Sequence, residues 1–305
     1  MDVDTRLLRY FVAVAEEGTL TRAAERLFVS QPALTKQIRQ LETQLGVRLF
    51  TRSRSGMDLT EAGRALGERA PALLADWDRV LRETRSTARR AARVLRVGFM
   101  ASAANEATPR IVAEFTRRRP GRQVDMKQAA WSNPSGGLAD GDVDVALLRL
   151  PFPGQDALRT AVLFTEPRWI ALPAGHPLAA YEVIPFRAVW DEPFVAAPSE
   201  SGRWREYWLA TDERDGHPVR IGAVTTRPDD WLSAIANGYG VALAPASAAR
   251  FYARPGIVYR PVEGVSPSQV CVAWASSGDL DPVVQDFVRC CLDSGRPRPE
   301  EAAAT

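Results

Sequence analysis

Gln31, Thr35 and Arg39 recur at intervals of four residues directly after Ser30, with Pro32 and Lys36 beside them. On a helix this spacing lines one face with groups that can pair with the edges and phosphates of nucleic acid. A glutamine amide matches adenine, arginine and lysine match guanine or a phosphate, and Pro32 or the Thr35 methyl can touch a thymine methyl. A three-helix bundle with a solvated polar face is the plain alternative, and charge and spacing alone do not separate the two.

Catalysis has little raw material. The 305-residue chain has two histidines, His176 and His217, and three cysteines, Cys271, Cys290 and Cys291, clustered late and not spaced for metal ligation. A zinc site or a histidine-based triad therefore has almost nothing to be built from, and no cofactor or enzyme activity is expected. The net charge is only +2 but unevenly placed: residues 1–93 hold 17 basic and 12 acidic side chains, the remainder 22 and 25. Between residues 20 and 54, seven basic groups (Arg22, Arg26, Lys36, Arg39, Arg48, Arg52 and Arg54) face only Glu25 and Glu42. A cationic N-terminal module on a mildly acidic body points to a polyanion bound at one end. No apolar stretch approaches a membrane span, and the first residues lack the basic head and apolar run of a signal peptide, so a cytoplasmic protein is expected.

The elements that would position the polar face follow from periodicity. Leu7, Leu8, Phe11, Val12 and Val14 predict a helix over 5–16 that Gly18 ends. Thr21 suits the N-cap of a short second helix burying Ala24 and Leu27, and a tight connection through Phe28 and Val29 follows. Ser30 then caps a third helix with Pro32 in its first turn, where a missing N–H costs little. Leu34, Ile38, Leu41 and Leu45 form its buried stripe, and Gly46 stops it. The segment VRLFTRSRSGMDLT reads as a two-stranded wing with a basic tip. From Thr60 a long helix carries Ala62, Leu66, Ala70, Leu73, Trp77, Val80, Thr84 and Ala88 close to a heptad seam, which a partner helix explains better than a globular core. Pro71 is expected to kink it or mark a boundary, and the arginine-rich stretch around Arg89 and Arg93 reads as a hinge. From Leu95, strand and helix patterns alternate in two runs, the second starting near Phe164; that is α/β grammar with a largely parallel sheet.

Leu7 to Gly63 closely resembles the N-terminal domain of LysR-type transcriptional regulators. The matching pieces are FxAVAExGT, AAERL, SQPALTxQIxxLE, LGVxLFxR and LTEAG, a dense match over about sixty positions that is not a chance pattern. GDVDVALLRLP and ANGYGVALAPASAA stand where that family has landmarks of its effector domain, so the resemblance covers nearly all of residues 5–293. It implies a winged helix-turn-helix over 1–60, a linker and dimerisation helix with a hinge over 61–93, and an effector domain over 94–295. That domain would resemble a periplasmic binding protein, with one Rossmann-like subdomain over 94–164 and 268–293 and a second over 165–264. Residues 296–305 are expected to be a disordered tail.

The function this implies is a sequence-specific DNA-binding transcriptional regulator, a homodimer or homotetramer, whose promoter binding or bending is modulated by a small molecule held between the subdomains. Thr21, Ser30, Gln31, Pro32, Thr35, Lys36 and Arg39 would contact DNA, with Arg52 and Arg54 on the wing at a minor groove or phosphates. Ser102, after the first strand of the effector domain, makes either an anion site or a plain helix cap. In the loop from Gln128, Trp131 would stack on a flat ligand or fill a subdomain contact. Arg149 would pair with a carboxylate, although a salt bridge within the protein is the commoner fate. Ser199, Ser201 and Arg203 offer polar groups in the second subdomain, and Trp231 opens a further helix. Trp204 and Trp208, one helical turn apart, read as core. These residues suggest an anionic or aromatic effector. The cysteines do not match the reactive pair of the family's peroxide-sensing branch, so buried inert thiols are expected. A solute-binding protein, an enzyme on the α/β half and an architectural DNA binder are the competing readings; the missing export signal, the missing catalytic constellation and the two-subdomain body argue against them in turn.

Overall fold

The computed structural model describes residues 3–27, 29–52, 56–91, 93–100, 103 and 107–294, without the side chains of residues 82, 85, 86 and 89–91. Ser102, Arg54, Phe28, the Arg89 side chain and the tail from residue 296 lie outside these residues. The chain divides into two compact units, residues 1–84 and 85–305.

In the first unit, α1 (Thr5–Glu17) buries Leu7, Leu8, Phe11 and Val14, leaves Val12 half-buried, and ends at Gly18 with φ 68°. The second helix, α2 (Leu20–Arg26), starts from Thr19 rather than from Thr21. Thr19 has the extended backbone a cap needs, and its hydroxyl accepts from the Arg22 N–H at 3.2 Å. Leu20 is buried and already helical, which leaves Thr21 exposed in the first turn.

Helix α3 (Gln31–Leu45) follows the expected plan. The Ser30 hydroxyl accepts from the Ala33 N–H at 3.4 Å, Pro32 sits in the first turn, and Leu34, Ile38 and Leu41 are buried, with Leu45 half-buried. Strands β1 (Phe50–Arg52) and β2 (Met57–Leu59) pair antiparallel as the wing. Glu42, on the inner face of α3, is 8% exposed, and its carboxylate accepts from the Leu49 N–H at 2.8 Å and the Phe50 N–H at 3.3 Å. A buried charge persists only when it is held in this way, so the wing is tied to the end of α3.

Helix α4 (Glu61–Ala91) is capped by the Thr60 hydroxyl, which accepts from the Gly63 N–H at 2.9 Å. A Cβ on Gly63 would lie 2.1 Å from the Leu49 carbonyl oxygen, so only glycine lets the helix start this close to the wing. Of the two expectations for Pro71, a boundary is not found: α4 runs through it. The carbonyl crowded by the proline ring belongs to Gly67, a residue whose backbone yields readily. The apolar stripe divides: Ala70 is buried with Leu74 in the core of the unit, whereas Leu73, Trp77 and Val80 are 57%, 43% and 47% exposed.

The second unit runs β3 (Val94–Phe99), α5 (Thr108–Arg118), β4 (Gln123–Gln128), β5 (Val145–Leu150), β6 (Leu158–Glu166), β7 (Arg168–Pro173), β8 (Ile184–Pro185), β9 (Pro193–Ala196), α6 (Arg203–Leu209), β10 (Arg220–Val224), α7 (Pro228–Ala236), β11 (Ala242–Pro245), α8 (Ala248–Phe251), β12 (Ile257–Glu263), β13 (Ser268–Ala275) and α9 (Pro282–Ser294). One sheet has the order β4-β3-β5-β13-β6 and another β11-β7-β12-β8, with β9 and β10 as a separate parallel pair. The expectation of a largely parallel sheet holds for β4, β3 and β5, for the pair β9 and β10 and for β8 beside β12, but β13 is antiparallel to β5 and β6, and β7 is antiparallel to β11 and β12. The cause is connectivity. The chain passes between the sheets twice, from β6 into β7 and from β12 back into β13, and the two passes run in opposite directions. Among the described residues, no helix is long and apolar enough to cross a membrane.

Candidate functional site

In the first unit the polar face of α3 is solvent-facing. Gln31, Pro32, Lys36 and Arg39 are exposed and Thr35 is half-buried. The Gln31 amide donates to the Thr35 hydroxyl at 3.0 Å, and that hydroxyl donates back to the Gln31 carbonyl at 2.9 Å. The two side chains at the head of the helix are thus held in one arrangement.

The basic groups around this face fall into two sets. Arg22 pairs with Glu17 at 3.1 Å, Arg26 with Glu16 at 2.6 Å and Arg48 with Glu42 at 3.4 Å. The Glu16 hydrogen bond, opposed by slight burial and supported by the charges of Glu16 and Glu17, raises the Arg26 guanidinium further above its usual range. Lys36, Arg39 and Arg52, all exposed, make no ion pair among the described residues. Glu16, Glu17 and Glu42 are thus paired with Arg22, Arg26 and Arg48, whereas Lys36, Arg39 and Arg52 have no acidic partner among the described residues.

In the second unit the loop after β4 crosses to the second sheet. The Trp131 N–H donates to the Thr226 carbonyl at 3.1 Å, and the Trp131 carbonyl accepts from the Ser201 hydroxyl at 2.7 Å. Close approach of backbone lets this loop lie down: a Cβ on Gly98 of β3 would meet the Gly136 carbonyl oxygen at 2.0 Å. The Trp131 ring packs between Trp204 (centroids 5.8 Å apart) and Trp231 (6.2 Å), and Trp204 reaches Trp208 at 6.0 Å. Behind these rings is a cavity of about 70 Å³, walled further by Val195, Leu243, Tyr252, Arg149 and Arg205. A wider recess at the mouth of the cleft is bordered by Gln128, Arg227 and Asp229.

Of the expected ligand-contacting residues, Trp131, Arg149 and Trp231 therefore border the inner cavity and Gln128 its mouth. Ser201 is fully buried in the contact with Trp131, and Ser199 and Arg203 are exposed at the start of α6, away from the cavity wall. Arg149 takes the internal pairing: its guanidinium donates to Glu166 at 2.6 Å and to the Ser268 hydroxyl at 3.0 Å. Glu166 also accepts from the Ser247 N–H at 2.8 Å and hydroxyl at 3.1 Å. Arg149 thus braces both passages between the sheets. A second brace lies beside it, where buried Arg168 meets Glu213 and donates to the Tyr207 carbonyl at 2.6 Å. Burial works to raise the Glu213 carboxyl, but hydrogen bonds from Ser266 and the Arg168 charge outweigh it and hold the group below its ordinary value.

Trp204, read from spacing as core, is buried in the core with Trp208 packed against it, and both also line the cavity; Arg205 between them was not anticipated. Their i, i+4 spacing gave the shared face; what lies behind that face is set by β9 and β11, distant in sequence. Cys271, Cys290 and Cys291 are buried free thiols, and burial pushes Cys271 up to about 12.

Comparison with known proteins gives this arrangement its family. Residues 5–64 match the bacterial regulatory helix-turn-helix protein, lysR family, and residues 88–296 match the LysR substrate binding domain. The chain is 32% identical to the Hca operon transcriptional activator HcaR of Escherichia coli (strain K12), over 94% of this chain and 96% of that protein. Among solved structures, a full-length OxyR variant from Pseudomonas aeruginosa is 26% identical with a TM-score of 0.52, over 97% of this chain and 100% of the other. Full-length CbnR complexed with its target DNA is 25% identical with a TM-score of 0.52, over 96% and 100%. The chain belongs to the LysR family of transcriptional regulators, with a helix-turn-helix DNA-binding domain and a periplasmic-binding-protein-like effector domain, and is not an enzyme.

Proposed function

We propose that α3 is the helix that reads promoter DNA and that the cleft walled by Trp131, Trp204 and Trp231 receives the effector. The observation that carries the first assignment is the division of charge: Lys36, Arg39 and Arg52 stand exposed with no ion pair among the described residues, while Arg22, Arg26 and Arg48 pair with neighbouring acids. Unpaired cations beside a glutamine and a threonine suit a helix in the major groove, where phosphates fix register and base edges supply specificity. Gln31 and Thr35 read bases. Lys36 and Arg39 serve bases or phosphates, Arg52 and Arg54 of the wing hold the backbone or minor groove, and Ser30, Pro32 and Thr21 approach the DNA from the helix ends.

The exposed Leu73, Trp77 and Val80 of α4 suit pairing with the same helix of a second copy, as a homodimer or within a homotetramer. The solved complex of CbnR with its target DNA supports promoter DNA as the partner, and a cytoplasmic location follows from that role. Ligand binding shifts the angle between the two sheets of the effector domain through the braces at Arg149 and Arg168, and the paired linker helices reset the spacing of the wings on the promoter.

The test is capture of genomic fragments by purified full-length protein with washes at stepped salt. A few fragments retained at high salt, upstream of genes and sharing an inverted repeat, support the reading. Uniform retention that washes away with salt counts against it.

A further inference from the structure

The inner cavity carries more information than the presence of a ligand. Its wall is aromatic, with four indoles from three segments of the chain: Trp131 from the loop after β4, Trp204 and Trp208 from α6, and Trp231 from α7. Trp204 is 7% exposed and Trp231 8%. The Nε1–H groups of Trp204 and Trp208 are closed off from solvent, yet neither has an acceptor among the described residues. Buried polar groups are ordinarily satisfied, and tryptophan N–H groups in particular find partners. Two unsatisfied donors on neighbouring indoles of one cavity wall favour a ligand that brings an acceptor oxygen.

Charge narrows the ligand further. Among the cavity-lining residues are two arginines and no carboxylate. Arg149 is neutralised by Glu166. Arg205 donates through Nε to the Ala197 carbonyl at 2.8 Å, and no acidic partner for it occurs among the described residues. Size sets the limit: a dry cavity of about 150 Å³ takes a benzene ring, and this one is about 70 Å³. One ring fits if the cleft widens modestly, and widening parts the walls that now close over the two indole N–H groups.

Resting on the reading of this cleft as the effector site, we infer that the effector is a one-ring aromatic carboxylate. Its ring lies among Trp131, Trp204 and Trp231, and its carboxylate accepts from the Trp204 Nε1–H and pairs with Arg205. Indole faces select a planar ring over an aliphatic body of equal volume, and the guanidinium selects the anion over its neutral amide.

The experiment is calorimetric titration of the full-length protein with benzoate, benzamide, cyclohexanecarboxylate and acetate, repeated on Trp204→Phe and Arg205→Gln. Benzoate is expected to bind at least about tenfold more tightly than benzamide or cyclohexanecarboxylate, with acetate not binding, since one charge-assisted hydrogen bond carries about that factor. Trp204→Phe, which keeps a ring and loses the donor, lowers benzoate affinity about tenfold or more. Arg205→Gln removes the preference for benzoate over benzamide while both still bind. Equal affinity for benzoate and benzamide in the wild type, or benzoate binding untouched in both variants, overturns the inference. No binding of any of the four, by protein that still retains specific promoter fragments, also overturns it while leaving the regulator reading standing. Loss of that fragment specificity would count against the regulator reading itself.

Discussion

The Ser201 hydroxyl donates to the Trp131 carbonyl at 2.7 Å, so a serine with no exposed surface just before α6 holds the tryptophan loop after β4, 70 residues away in sequence. The same peptide segment is gripped from its other side by the bond from the Trp131 N–H to Thr226. Two hydrogen bonds thus fix the Trp131 peptide segment against residues of the second sheet's side of the cleft.

Ser201→Ala removes the hydroxyl and leaves a carbonyl without its donor. The expected cost is about 1–3 kcal/mol of effector-domain stability, the usual penalty for an orphaned polar group. Urea unfolding followed by tryptophan fluorescence reads it as a lower midpoint with an unchanged slope.

On the DNA side the two classes of contact separate by salt. Gln31→Ala or Thr35→Ala is expected to relax base preference, each by about 1–3 kcal/mol at the position it reads, with the salt slope intact. Arg52→Ala or Lys36→Ala weakens binding to all sequences and lowers the slope of log affinity against log salt by about 1. Binding isotherms on a promoter fragment and its single-base variants check both. Changed base preference in Arg52→Ala with the slope intact would remove the wing assignment.

The brace at Glu213 predicts a dependence on acid. Its carboxyl is held below the ordinary value by Ser266 and Arg168 against the pull of burial. A depressed folded-state value contributes stability that is fully present above the unfolded carboxylate value of about 4.3 and is lost as pH falls through the folded value. Melting temperatures of wild type and Glu213→Gln should therefore differ by a constant amount at neutral pH and converge only as pH falls below the ordinary carboxylate value of about 4.3, through the depressed folded value.

The three thiols should stay silent in the native protein. Cys271 is pushed up to about 12 by burial, and burial likewise raises Cys290 and Cys291. Reaction with a chromogenic disulfide at pH 8 should reach three equivalents only after unfolding in denaturant. Fast reaction of one native thiol would reopen a redox role.

Local chemistry made α3 legible: Ser30, Pro32 and Gly46 stand as expected, and of the stripe Leu34, Ile38, Leu41 and Leu45 only Leu45 is left half-buried. The family resemblance added the division into domains that local patterns cannot supply. Thr21 was misplaced because Thr19 has the same capping chemistry, and only the burial of Leu20 decides which threonine precedes the helix. The sense of β7 and β13 depends on where the chain crosses between sheets, a fact no local pattern holds. The internal salt bridge named as the commoner fate of Arg149 is the one found, but its partner Glu166, beyond a turn and a strand, was not legible. The role of Glu42 depends in the same way on N–H groups of the wing, which arrive from a later segment.

Sequence-specific grip through α3 is checked by binding isotherms of the full-length protein on one captured promoter fragment and on a base-shuffled copy, each across a salt series. Binding to the native fragment is expected to be at least about a thousandfold tighter near physiological salt, with the shuffled copy keeping only the salt-dependent component. Equal affinity for both at every salt concentration would contradict such a grip and leave phosphate attraction alone.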